Sequence, residues 1–203
     1  MLRTPGEKTF FVGLVVGLAA LALLGSAALV HGRALAGQLV LGWAWEKARV
    51  AGYPIEPWPE SDLRVRARLH APRLGVERIV LDSATGQALA YAPGELRVRG
   101  TGPEVRFLAG HRDTHFAFLE ELRPGDTLRL EDPRGVEQVY HVSEREVRHR
   151  DDLSVEMHPL TPVLYLVTCW PIDGAGEPTD ERLVIKARAP FHRLARGGSE
   201  AMD

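Results

Sequence analysis

Cys169 is the only cysteine of the chain, and it closes the run Val163, Leu164, Tyr165, Leu166, Val167 and Thr168, with Trp170 and Pro171 directly after it. A stretch so rich in β-branched and aromatic side chains predicts a buried strand. The proline then ends the ladder, which puts Cys169 at a strand end, where a side chain can face a cleft. One cysteine cannot form a disulfide within the chain, so the thiol is either a small buried hydrophobe or a nucleophile. Two further residues have comparable placements: His111 follows Gly110 at the end of a second apolar run, 105–109, and Arg182 opens the run 183–187, after the loop that leaves Cys169. A thiol, an imidazole and a guanidinium are the nucleophile, acid/base and oxyanion stabiliser that acyl transfer needs.

The elements that must position them are short strands. Val65, Ala67 and Leu69 alternate with Arg64, Arg66, Arg68 and His70. Further strands are predicted over 76–81, 105–109, 127–131, 136–147, 163–168 and 183–187, with a short helical turn at 116–122. Pro93-Gly94, Pro124-Gly125-Asp126 and Asp132-Pro133-Arg134-Gly135 supply turns between them. Seven or eight such strands predict a mostly β domain, as a closed barrel or a sandwich. No internal repeat or low-complexity tract interrupts it.

Residues 10–30 form an apolar stretch with Ser26 as its one polar side chain, preceded by Arg3 and Lys8. As a helix this stretch reaches about 31 Å, close to the hydrocarbon thickness of a bilayer. Ala34-Leu35-Ala36 has the form of a cleavage site, but the apolar part exceeds the roughly 7–15 residues usual for cleaved signals, so an uncleaved anchor is expected. A short N-terminal tail favours a cytoplasmic N-terminus and an external C-terminal domain. Residues 35–50 are expected to continue as a helix, with Trp43 and Trp45 at the membrane interface; the Gly- and Pro-broken stretch 52–62 is a spacer, with Trp58 against the domain surface. The chain thus divides into a tail and anchor (1–33), a juxtamembrane helix and spacer (34–62), a catalytic domain (63–190) and a frayed tail (191–203).

Composition sets limits. A formal net charge of −2 gives no support to nucleic-acid binding. Of the 25 basic residues, 22 are arginine, interleaved with acids rather than blocked. His111, Asp113 and His115, two residues apart, would share a face if extended and would suit a metal-dependent hydrolase. A membrane-tethered, non-catalytic binding barrel with an inert Cys169 is the other alternative.

The segment Leu166-Val167-Thr168-Cys169 with Arg182 downstream resembles the signature of sortases. Ala109-Gly110-His111-Arg112-Asp113-Thr114-His115-Phe116 is similar to their histidine segment, and Pro124-Gly125-Asp126 follows as it does there. Trp170-Pro171, the Glu56-Pro57-Trp58-Pro59 spacer and the anchor look most like the Gram-negative sortases, class GN. Tyr165 departs from the pattern, standing where sortases often carry threonine. The resemblance implies a closed β-barrel of about eight strands with short helices behind one transmembrane helix. It implies a membrane-anchored cysteine transpeptidase acting on a C-terminal sorting signal of Leu-Pro-x-Thr-Gly type. Cys169 would form a thioacyl-enzyme, His111 would act as acid and then base, and Arg182 would hold the oxyanion, with Thr168 and Trp170 at the substrate. The amine acceptor stays open, as does a homodimer. No cofactor is implied, and no acidic cluster marks a calcium site. The expected location is the cytoplasmic membrane, single-pass, with the catalytic domain on the external side. An uncoupled thiol and imidazole of ordinary acidity form a thiolate–imidazolium pair under about 1% of the time at pH 7, so a slow enzyme with a bell-shaped pH profile is expected.

Overall fold

The computed structural model describes residues 14 and 17, 37–157, 159–172 and 179–191. The expected anchor, 10–30, lies outside them apart from Leu14 and Gly17, as does the tail beyond Phe191. No helix among the described residues is long and apolar enough to cross a membrane.

Residues 37–51 form helix α1. Eight strands follow: β1 (Val65–Ala71), β2 (Val76–Leu81), β3 (Gly94–Leu96), β4 (Val105–Ala109), β5 (Thr127–Glu131), β6 (Glu137–His149), β7 (Val163–Cys169) and β8 (Glu181–Arg188). A one-turn helix α2 (Gly86–Leu89) and short 3-10 turns at Pro72–Leu74, Ala117–Glu121 and Arg150–Asp152 connect them. The strands close into a barrel in the order β1-β2-β3-β4-β7-β8-β6-β5. β4 and β7 run parallel; β7 and β8, β8 and β6, and β1 and β2 run antiparallel.

Alternation decides which face of each strand turns inward. In β1, Ala67, Leu69 and Ala71 enter the barrel interior, where they meet Val80, Leu108, Leu128, Tyr140, Leu164, Leu166 and Ile185. A register irregularity between Val65 and Ala67 turns Val65 outward instead. β7 is buried from Val163 to Thr168 because both its faces are covered. Leu164 and Leu166 point inward; Val163, Tyr165 and Val167 point outward into a smaller cluster with Phe107, Val105, Val155 and Val184. That double cover explains why the strand reads as a continuous apolar run.

Three sequence expectations change. β3 falls where only a turn was expected, and it is three residues long. β8 begins at Glu181, one residue before Arg182. Trp45, expected at a membrane interface, is 1% exposed and packs with Leu41, Ala44 and Ala48 of α1 onto Val65, Ile79 and Leu81. The bulge and the outward face of β2 leave an apolar surface that this face of α1 covers. Trp58 meets the Tyr91 ring at 5.0 Å, tilted by 59°, beside the same cluster, which holds the spacer to the barrel.

Candidate active site

Cys169 is the last residue of β7, and β7 lies between β4 and β8 in the sheet. On the β8 side its cross-strand partner is Arg182. On the β4 side the last registered pair is Ala109 with Val167, after which the chain turns away through Gly110 to His111. Two hydrogen bonds hold that exit: the Gly110 N–H donates to the Val167 carbonyl at 3.2 Å, and the Thr168 hydroxyl donates to the Gly110 carbonyl at 2.8 Å. The three residues expected to carry chemistry therefore flank one another across three neighbouring strands at one end of the barrel. By alternation Cys169 shares the outer face of Val163, Tyr165 and Val167, and Arg182 shares that of Val184 and Lys186.

Each group is accessible in a different way. Cys169 is partly exposed and free. His111 is exposed. The Arg182 guanidinium is anchored through Nη1, which donates to the carbonyls of Thr179 at 3.0 Å and Glu181 at 2.7 Å. Its Nε and Nη2 have no partner among the described residues, so they are available to an incoming oxygen.

The segment after Gly110 is fixed by packing and by one contact absent from the sequence reading. A Cβ on residue 110 would lie 2.8 Å from the Phe116 ring, so only glycine admits this approach. The Phe116 N–H donates back to the His111 carbonyl at 2.9 Å, closing the turn. Arg112 Nη1 donates to the Pro171 carbonyl at 2.9 Å, tying the His111 turn to the segment that leaves Cys169. Nothing in the sequence distinguishes Arg112 from its many fellow arginines, and its role follows only from tertiary contact.

Thr168 and Trp170, expected at the substrate, have other principal contacts. Thr168 is 2% exposed and its hydroxyl is committed to Gly110, so it braces the His111 turn rather than facing the outer groove. Trp170 is half-buried against the barrel core. Its N–H donates to the Glu181 carbonyl at 3.1 Å, and its own carbonyl accepts from the Thr179 hydroxyl, which fastens the base of the β7–β8 loop. Arg145 stands over its ring at 5.8 Å. Tyr165 also acts structurally: it stacks on Phe107 at 5.7 Å, and its hydroxyl accepts from the Glu156 N–H at 3.1 Å. Glu156 in turn pairs with Arg188 and Lys186, which hold its carboxyl down to about 2. The β6–β7 connection is thereby pinned along the apolar strip, leaving a cleft of about 60 Å³ between Phe107, Tyr165, Val184 and Val155. A cavity of about 770 Å³ surrounds Leu96, Val105 and residues 132–134, and is lined by none of Cys169, His111 and Arg182.

The metal alternative loses its geometry. His115 is 5% exposed, while His111 and Asp113 are exposed. Burial, then the charge of Arg78, holds the His115 imidazole down to about 4. Among the described residues no three His, Cys, Asp or Glu side chains converge on a point that would hold a metal ion.

A family model, described as the Sortase domain, matches residues 69–189, well over half of the chain. The chain belongs to the sortase family. Solved structures agree on the fold. Sortase A from Corynebacterium diphtheriae superposes with a TM-score of 0.55 at 18% identity, covering 87% of this chain and 97% of that one. Clostridium perfringens sortase C with the C-terminal cell wall sorting motif gives 0.54 at 17% identity, covering 75% and 86%. A pilus-related sortase C of Group B Streptococcus gives 0.52 at 19%, covering 63% and 68%. No curated protein matches the chain. Sortases are cysteine transpeptidases, and this enzyme carries one cysteine with which to be one.

Proposed function

We propose that this sortase uses Cys169 to cleave a C-terminal sorting signal of Leu-Pro-x-Thr-Gly type on a partner protein and passes the acyl group to an amine. The observation that carries the reading is the pairing of a partly exposed Cys169 with Arg182, with the turn bearing His111 bonded to the same strand end. The Cys169 thiolate adds to the scissile carbonyl, and the oxyanion is met by Arg182 through Nε and Nη2, which have no partner among the described residues. The C–N bond breaks as His111 gives its proton to the departing amine, which leaves a thioester on Cys169. An incoming amine then adds to the thioester, His111 takes its proton, and the thiolate leaves. The small cleft beside Phe107, Tyr165, Val155 and Val184 lies on the outer face that carries Cys169 and is where the apolar part of such a signal would enter. The structure of Clostridium perfringens sortase C with the C-terminal cell wall sorting motif supports a substrate of this class.

The apolar stretch 10–30 supports a membrane anchor, with the barrel on the external side. Trp170-Pro171 after the cysteine and the Pro-rich spacer support the Gram-negative subclass. The test is to incubate the enzyme with a library of sorting-signal peptides and read the adduct by mass spectrometry. The expected product is an acyl group on Cys169, cut after a threonine and absent from Cys169→Ala. Turnover by Cys169→Ala, or no adduct from any Leu-Pro peptide, would overturn the reading.

A further inference from the structure

Helix α1 has two apolar faces and only one of them is covered by the barrel. Leu41, Ala44, Trp45 and Ala48 are buried against it. On the opposite side Leu39 is 77% exposed, Trp43 59% and Val50 92%. At 3.6 residues per turn these three fall within about 40° of one another on the helix, with Val40, also exposed, at the edge of the same face. The charged groups bordering this face are Glu46 and Lys47, and the Lys47 ammonium lies 3.3 Å from the centre of the Trp43 ring. Tyr53, 62% exposed, follows just beyond the helix. Exposed apolar residues scattered singly need no explanation, but a contiguous stripe does.

We propose that this outer face of α1 lies in the headgroup region of the bilayer and sets the orientation of the enzyme on it. The proposal rests on the reading of residues 10–30 as a membrane anchor. Only residues 31–36 separate that stretch from Gly37, a span of at most about 25 Å when fully extended. The helix is therefore confined near the membrane surface and presents to it a tryptophan and three aliphatic side chains, bordered by Glu46 on one side and Lys47 on the other. A tryptophan with its ring in the boundary layer and a neighbouring ammonium reaching toward lipid phosphates is the composition of an interfacial helix. A second copy of the chain or a soluble protein would cover an apolar stripe too. The tether, however, delivers this face to lipid first and holds it there at high effective concentration.

The strand order gives the docking a consequence. α1 covers β1 and β2. Counting either way round the closed barrel, β7 is the strand farthest from β1. With α1 on the bilayer, the outer face carrying Cys169 and Arg182 points away from it, toward an exported substrate and its acceptor.

The test uses the full chain with Cys169→Ala, which frees the protein of native thiols, reconstituted in phosphatidylethanolamine–phosphatidylglycerol vesicles. Leu39→Cys, Trp43→Cys and Val50→Cys each carry a nitroxide label, and Leu160→Cys, 91% exposed on the segment before β7, serves as the aqueous reference. Collision with oxygen and with a water-soluble nickel chelate is read by electron paramagnetic resonance. The expected result is an oxygen-to-nickel ratio raised at least threefold at the three α1 sites over Leu160→Cys. Ratios equal to the reference, in protein that resists carbonate extraction, would overturn the docking and leave the anchor standing. Low collision with both reagents would overturn it in favour of a protein partner. Release into carbonate would remove the anchor itself, and the docking with it.

Discussion

Replacing Thr168 by valine isolates the one side-chain hydrogen bond that joins the Cys169 strand to the His111 turn. Valine puts a methyl group where the hydroxyl stood, so shape is nearly kept while the 2.8 Å bond to the Gly110 carbonyl is lost. The site is 2% exposed, which keeps water from replacing the donor. An orphaned buried acceptor costs about 1–3 kcal/mol. At about 2–4 °C per kcal/mol for a protein of this size, the melting temperature should fall by roughly 2–12 °C. The Gly110 N–H still bonds Val167, so the turn should loosen rather than detach. Displacement of His111 costing about 1.4 kcal/mol in the transition state slows turnover about tenfold. KM for a sorting peptide should change little, because Thr168 lies on the inward side of β7, away from the outer face that carries Cys169. Thr168→Ser keeps the hydroxyl and should keep most of both properties. The assays are thermal unfolding by circular dichroism and steady-state kinetics with a quenched fluorescent peptide. Normal melting and turnover in Thr168→Val, or equal damage in Thr168→Ser, would refute the assignment.

Arg182→Lys should lower kcat by about 10²–10³, the usual loss for one oxyanion donor, since a point-like ammonium lacks the planar fork that bonds two carbonyls through one nitrogen while presenting others to the oxyanion; peptide kinetics measure it, and near-normal kcat would remove Arg182 from the oxyanion. Arg112→Ala should reduce kcat more than it raises KM and shift the acid limb of the pH profile, with Arg112→Lys partly restoring both if reach to the Pro171 carbonyl is what matters. His115, held down to about 4 in the folded protein against an ordinary value of 6.5, leaves the unfolded chain binding more protons between those limits. Stability from this group is therefore complete above about pH 6.5 and is lost as pH falls toward 4, by up to about 3 kcal/mol at ~1.4 kcal/mol per unit. Denaturant titrations across that window should show a shallower acid loss in His115→Gln than in the parent.

Strands with a clear pattern were legible in the sequence. Val163–Cys169 and the Arg-alternating β1 announce themselves, and the closing proline puts Cys169 at a strand end. β3 was not legible. Its three residues fall on a Pro-Gly turn signal, and Gly94 sits so close to the Ser83 backbone that a Cβ would come within 1.9 Å of the carbonyl oxygen. That approach is a tertiary fact with no local sequence trace. Trp45 could have been read better: residues 43 and 45 lie about 200° apart on a helix, so the two tryptophans cannot share one environment. Thr168 was singled out for its place beside the cysteine, yet its inward direction follows from strand parity, which assigns it to the face of Leu164 and Leu166. Arg112 had no signal, because a hydrogen bond to a carbonyl 59 residues away follows only from the closed barrel.

The seam between β4 and β7 has a bearing on when the enzyme becomes reactive. Cys169 and Arg182 belong to strands that follow one another along the chain, whereas Gly110 and Thr168 meet across 58 residues. Contacts of long sequence separation carry the larger loop-closure penalty and tend to form late in folding. The folding chain therefore brings its thiol and guanidinium together before the imidazole arrives. Closure of this long-range seam would then complete the proton relay, so catalytic competence waits on a contact that local folding cannot supply.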